Sequence, residues 1–177
     1  MQIPRWAVAA AAVGVLVLAG AGILAATVGP FAASPIVQPI AFPHDLHAGA
    51  TSQIPCQYCH TSADRSQDAG IPSVQVCAGC HFPGGVPLVR ADHPEVLKLR
   101  EYWAQGVPIP WKRIYDLPDH VHFPHMRHMK AGFECQECHG PVEEMVVIEQ
   151  ASSLRMGWCV ECHRVNEART DCFVCHY

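Results

Sequence analysis

The chain has 177 residues, with 12 Lys and Arg against 16 Asp and Glu for a net charge of −4, and no polybasic block, which argues against nucleic acid as a partner. Its apolar fraction of 50% is ordinary, but much of it lies at the N-terminus, and beyond residue 40 Pro, Gly, His and Cys dominate. One domain of that composition, even with an appended segment, buries too little of its own side-chain surface to offset the entropy of ordering it, so something else must fill its core.

In chain order, Trp6 to Val28 carries no charge and is mostly Ala, Val, Leu, Ile and Gly. Roughly 20 apolar residues cover the hydrocarbon core of a bilayer, so residues 1–29 read as an N-terminal transmembrane anchor. Arg5 precedes the run, Trp6 marks its interface, and no basic residue follows soon after. The positive-inside rule then places the N-terminus in the cytoplasm and the remainder on the periplasmic side of the inner membrane. The competing reading is a cleaved signal peptide with Ala19-Gly20-Ala21 as its small-residue site, but the apolar run continues past that point. Gly14, Gly20 and Gly22 suit close packing against other membrane helices, and lipid is the other expected neighbour. Residues 30–41 read as an extended linker held open by Pro30, Pro35 and Pro39.

From Phe42 onward, residues 42–177, a unit is used twice: FPHDLHAGATSQIPCQYCH from Phe42 to His60, and FPHMRHMKAGFECQECH from Phe123 to His139. Each copy holds Phe-Pro-His-x-x-His, then Ala-Gly, then Cys-Gln-x-Cys-His. All ten cysteines fall in five Cys-x-x-Cys-His motifs: Cys56-Cys59-His60, Cys77-Cys80-His81, Cys135-Cys138-His139, Cys159-Cys162-His163 and Cys172-Cys175-His176. That motif is the c-type haem attachment signature, in which two thiols become thioethers and the next histidine is an axial ligand. Disulfide frameworks give no reason for a histidine after every second cysteine, and zinc sites built from paired half-sites leave one of five over. Five covalently bound haem c groups are therefore expected, and they would supply the missing core. Because thioethers are made outside the cytoplasm, this too puts the domain on the outer face.

Between the second and third motifs, Val96, Leu97, Leu99, Tyr102 and Trp103 recur at helical spacing and predict a helix near Pro94 to Gln105. A Pro-rich run, VPIPWKRIYDLPD, follows as a strap between two haem clusters. Trp103, Trp111, Tyr102 and Tyr115 are expected to pack on porphyrin faces rather than to relay electrons. The stretch EEMVVIEQASSLRM reads as one or two amphipathic turns, and eight residues between His163 and Cys172 make the last two sites near neighbours.

With His60, His81, His139, His163 and His176 taken as proximal ligands, seven histidines remain for five distal positions. His44 and His47, like His125 and His128, stand three apart and point the same way on a helical turn. They cannot straddle one iron, so each pair serves two haems: the first two for His44 and His47, two of the last three for His125 and His128. The fifth distal ligand stays open. Met156, three residues before Cys159, would raise its haem's potential. His120 and His122 alternate as on a strand, and His93 sits at a helix start before Pro94.

The FPHxxH and CxxCH units resemble those of class III multihaem cytochromes c. The longer strings CQYCH, AGIPSVQVCAGCH, GVPIPWKRIYDLPD, AGFECQECHGPVEEM and LRMGWCVECHR, with one N-terminal helix, resemble the membrane-anchored pentahaem cytochrome c subunit of bacterial alternative complex III. The resemblance runs from residue 1 to about residue 164, with the fifth site less typical. It implies an electron-transfer subunit of a quinol:acceptor oxidoreductase with no catalytic site of its own. Its partners would be polytopic and iron–sulfur subunits, where quinol is oxidised, and a monohaem cytochrome toward a periplasmic acceptor. The implied fold is that of a multihaem cytochrome c: mostly irregular and α, with little regular secondary structure, a haem-packed core and one N-terminal transmembrane helix.

Two other readings have sequence-level discriminants. A single-helix multihaem quinol dehydrogenase acting directly on menaquinol needs a haem with an open or displaceable ligand and a side chain to take the quinol proton. An oxyanion reductase needs a five-coordinate haem in a basic pocket, whereas all five motifs end in His and only Lys98, Lys112 and Lys130 supply ammonium groups.

Overall fold

The helices of this chain are short because prolines start them and the attachment motifs are only one turn long. The computed structural model describes residues 36–84 and 88–177, so the expected membrane anchor and the first part of the linker lie outside the described residues. Pro43 precedes α1 (His44–His47), Pro55 precedes α2 (Cys56–Cys59) and Pro124 precedes α5 (His125–Lys130), each in an extended conformation. A proline at that position gives up no hydrogen bond, since the first N–H groups of a helix have no partner within it. The other helices are α3 (Val74–His81), α4 (Pro94–Gln105), α6 (Cys135–His139) and α7 (Met156–Val165), with 3-10 turns at Val142–Glu144 and Cys172–Val174. Among the described residues there is no strand, and no helix is long and apolar enough to cross a membrane.

The longest helix, α4, occupies the span that the apolar spacing marks out. His93 caps it, its ring nitrogen accepting the Glu95 N–H at 3.3 Å, and Pro94 fills the first helical position. Gly106 ends it at φ 65°, a left-handed conformation that costs glycine little, while the Val107 N–H returns to the Tyr102 carbonyl at 3.2 Å. Val96 and Leu99 are buried along one face, and α4 packs on α3.

The apolar cluster that results is small: Ile40, Val74, Ala78, Phe82, Leu99 and Ile109, with Cys77, Tyr102 and Trp111 against it. No large side chain among the described residues is wholly buried, and Val147, Val165 and Phe173 are well exposed. The cluster serves the second attachment site and leaves the others without an apolar interior of their own. Residues just before Phe42 take part in it. Ile40 is buried, Gln38 exchanges two hydrogen bonds with Lys112 (2.8 and 2.9 Å), and the Ala41 N–H donates to Glu95 at 2.8 Å.

Two local expectations differ from what is observed. The stretch after the third motif forms only the 3-10 turn and then runs irregularly, with Val146 and Val147 exposed, because its apolar residues are adjacent rather than three or four apart. DHVHF is irregular rather than a strand, since its backbone pairs with the end of the chain instead of with a sheet: the His122 N–H donates to the Cys175 carbonyl at 2.8 Å.

Candidate haem centres

In each Phe-Pro-His-x-x-His unit the chain builds the same object. In the first, the His47 Nδ1–H donates to the Pro43 carbonyl at 2.8 Å; in the second, the His128 Nδ1–H donates to the Pro124 carbonyl at 3.0 Å. Phe42 lies flat on His47 with ring centroids 4.2 Å apart and meets His44 edge-on at 4.9 Å. Phe123 repeats this with His128 at 4.2 Å and His125 at 4.9 Å. Proline sets the turn, phenylalanine props both rings, and the two imidazoles leave the same side of one helical turn.

Seven histidines direct Nδ1 at a backbone carbonyl. Besides His47 and His128, these are His60 to Gly70 (2.7 Å), His81 to Val89 (2.7 Å), His125 to Gln67 (2.7 Å), His163 to Arg169 (2.6 Å) and His176 to His120 (2.9 Å). A carbonyl only accepts, so Nδ1 carries the proton in each and Nε2 keeps a free lone pair. This is how metal-binding imidazoles are oriented. His44 is different, its Nδ1 buried without a partner. Burial, then the nearby His60 and His47, push His44 down to about 4, and burial, then His125 and His60, lower His139.

The histidines come together two by two. Ring centroids of His47 and His81 are 6.1 Å apart, those of His125 and His139 6.4 Å, those of His128 and His163 6.1 Å, and those of His120 and His176 5.6 Å. His44 lies near enough to His60 for the charge of one to act on the other. Two imidazoles on opposite sides of one metal, each nitrogen about 2 Å from it, place their centroids roughly 6 Å apart. Among the described residues, no three His, Cys, Asp or Glu side chains converge as a bare ion's ligands would. Two nitrogens per centre, with paired thiols beside them, is the donor set that a porphyrin iron completes.

Each Cys-x-x-Cys-His puts its two thiols a helical turn apart, followed by the imidazole, over α2, α3, α6, α7 and the last 3-10 turn. The thiols crowd together across motifs. Burial raises Cys59, Cys77, Cys135, Cys138 and Cys159, and thiols of another motif add to each shift. Thiolate metal sites are built with the opposite bias, toward the ionised sulfur.

Of the candidates for the fifth distal position, Met156 is 66% exposed at the start of α7, His93 caps α4, and His122 stacks on Tyr177 at 4.5 Å. His120 is the one placed against His176. The strap also contributes Tyr115, which meets His139 edge-on at 4.4 Å, while its hydroxyl accepts the Ala151 N–H at 2.8 Å. Sequence spacing gave no signal for that contact, which joins residues far apart in the chain.

No family model matches this chain. It is 27% identical over 167 residues, covering 78% of this chain and 76% of the relative, to the multihaem cytochrome c subunit of menaquinone reductase from Nitratidesulfovibrio vulgaris (strain Hildenborough). The donor set, a fold that is strand-free among the described residues, and this likeness support one class, a multihaem cytochrome c carrying covalently bound haem.

Proposed function

We propose that this protein is a membrane-anchored pentahaem cytochrome c that relays electrons between quinone chemistry in partner subunits and a periplasmic acceptor. The observation that carries the proposal is the pairing of histidines at the separation a haem iron needs. Four pairs stand at that separation, His47 with His81, His125 with His139, His128 with His163, and His120 with His176, and His44, on which the charge of His60 acts, would complete the fifth with it. Bound haem supplies a one-electron couple. The chain's residues would hold it: ten cysteines as thioether donors and ten histidines as nitrogen donors. The carbonyls on Nδ1 fix the orientation of the imidazoles.

Ligation by two histidines would leave no position for a substrate, which favours transfer over catalysis. The resemblance of its motifs to those of alternative complex III favours a direction from quinol oxidation in partner subunits through this chain to a monohaem cytochrome and a soluble acceptor. The apolar run Trp6–Val28 supports a single-pass anchor in the inner membrane, with residues 42–177 on the periplasmic side. The test is purification in mild detergent. Five haems per chain, EPR signals from low-spin iron alone, and co-purifying iron–sulfur and membrane subunits are expected. Zinc in place of iron, or a chain that purifies without pigment, overturns the reading.

A second reading has an observation of its own. A groove of about 750 Å³, lined by Ile71, Val74, Tyr102, Trp103, Val107 and Ile109, lies beside the helix that carries the second motif. It is apolar enough for an isoprenoid quinone, and the relative's name associates that protein with menaquinone. On this reading the chain handles menaquinol directly. Isolated in detergent, it would then be reduced by a menaquinol analogue, and Trp103→Ala would slow that reduction; a relay alone would not react.

A further inference from the structure

We infer that residues 42–81 and 123–163 are two copies of a two-site module that meet about a local two-fold axis, so that the first and third attachment sites join the halves. The sites then lie in the order second, first, third, fourth, fifth. This rests on the five-centre reading above and concerns only how the chain arranges those centres.

Within a module, the first histidine of Phe-Pro-His-x-x-His faces its own motif and the second faces the next. His44 neighbours His60 while His47 faces His81; His125 faces His139 while His128 faces His163. One helical turn therefore ties sites one and two together, and another ties three and four.

The modules then exchange equivalent contacts. The Asp45 N–H of α1 donates to the Met145 carbonyl, just past the third motif, at 3.1 Å. Met126, which holds the place of Asp45 in the second copy, donates its N–H to the Ser66 carbonyl, just past the first motif, at 3.0 Å. Each histidine turn is thus held by the segment that follows the other copy's attachment motif. At the centre, equivalent residues lie near each other: Cys56 beside Cys135, and His60 close enough to His139 for one charge to act on the other. Contact of a residue with its own counterpart marks a two-fold axis. It also places site one, not site two, against site three.

The remaining links are local. Cys59 neighbours Cys80, Cys138 neighbours Cys162, and Cys159 neighbours Cys175. The fifth site hangs on the fourth, completed by the segment that brings His120 to His176. Sites two and five are left as the two ends.

In the oxidised full-length protein, neighbouring low-spin irons broaden one another's EPR resonances. Cys56→Ala with Cys59→Ala removes attachment at the first site; Cys77→Ala with Cys80→Ala removes it at the second. With four haems remaining in each, loss of the first site should alter the resonances of two other centres, and loss of the second should alter one. The reverse pattern means the sites follow chain order and overturns the inference. Should either variant fail to mature, His44→Met and His47→Met keep every thioether. By potentiometry the first should displace the midpoints of two neighbouring centres and the second of one, and the reverse again overturns the order. A wild-type content other than five haems, or a high-spin signal in it, strikes the underlying five-centre reading instead.

Discussion

At the scale of single residues, each centre is a choice of which imidazole nitrogen is free. A backbone carbonyl fixes that choice in seven of the histidines by taking the Nδ1–H. At the fifth site the ligand question comes down to His120 against Met156. Truncating the true ligand leaves the thioethers intact but opens one axial position, and a five-coordinate ferric haem is high-spin. His120→Ala is therefore expected to keep the full haem content while adding one high-spin EPR component, and Met156→Ala, at an exposed position, to leave the spectrum unchanged. A new high-spin signal from the Met156 variant would reassign the ligand. Tyr115 acts through position rather than ligation. Tyr115→Phe keeps the ring against His139 but leaves the Ala151 N–H unmatched, a loss of about 1 kcal/mol measurable as a lower denaturant midpoint with an unchanged haem spectrum.

At the scale of elements, the helices succeed by packing on one another rather than by length. Gly49 follows α1, and a Cβ built there would stand 2.5 Å from the Glu143 carbonyl oxygen and still closer to that of Asp45. Gly49→Ala should push α1 off the turn at Val142–Glu144, costing about 1–3 kcal/mol by overpacking. Perturbed spectra at the first two haems, whose distal histidines α1 carries, would register the displacement; no change at either would show that the backbones part freely. In the apolar cluster around α3 and α4, Leu99 is 6% exposed, and Leu99→Ala should cost about 2–5 kcal/mol. Because α4 packs on α3, the damage should appear first in the haem held by Cys77, Cys80 and His81.

At the scale of the whole molecule, the apolar interior among the described residues is too slight to hold residues 42–177 folded by itself. Ile40, Val74, Ala78, Phe82, Leu99 and Ile109 make one small cluster, with Cys77, Tyr102 and Trp111 against it. Haem binding should then supply folding free energy directly, as structural metals do in small domains. Expressed where thioethers cannot be made, the chain is expected to show far-UV circular dichroism of a largely unfolded polypeptide and rapid proteolysis within residues 42–177. A helical, protease-resistant haem-free protein would contradict that account. How much was legible beforehand follows from the same physics. The sequence by itself determined what local spacing can carry: the five attachment motifs, the paired histidines that cannot share an iron, and the helix from Pro94 to Gln105. Those depend on covalent chemistry and on side chains within a turn of one another. Only the tertiary structure decided that His120 stands against His176, that Tyr115 reaches His139, and that Cys56 meets Cys135. Each is a contact between segments more than twenty residues apart, and no periodicity records which distant segments will meet.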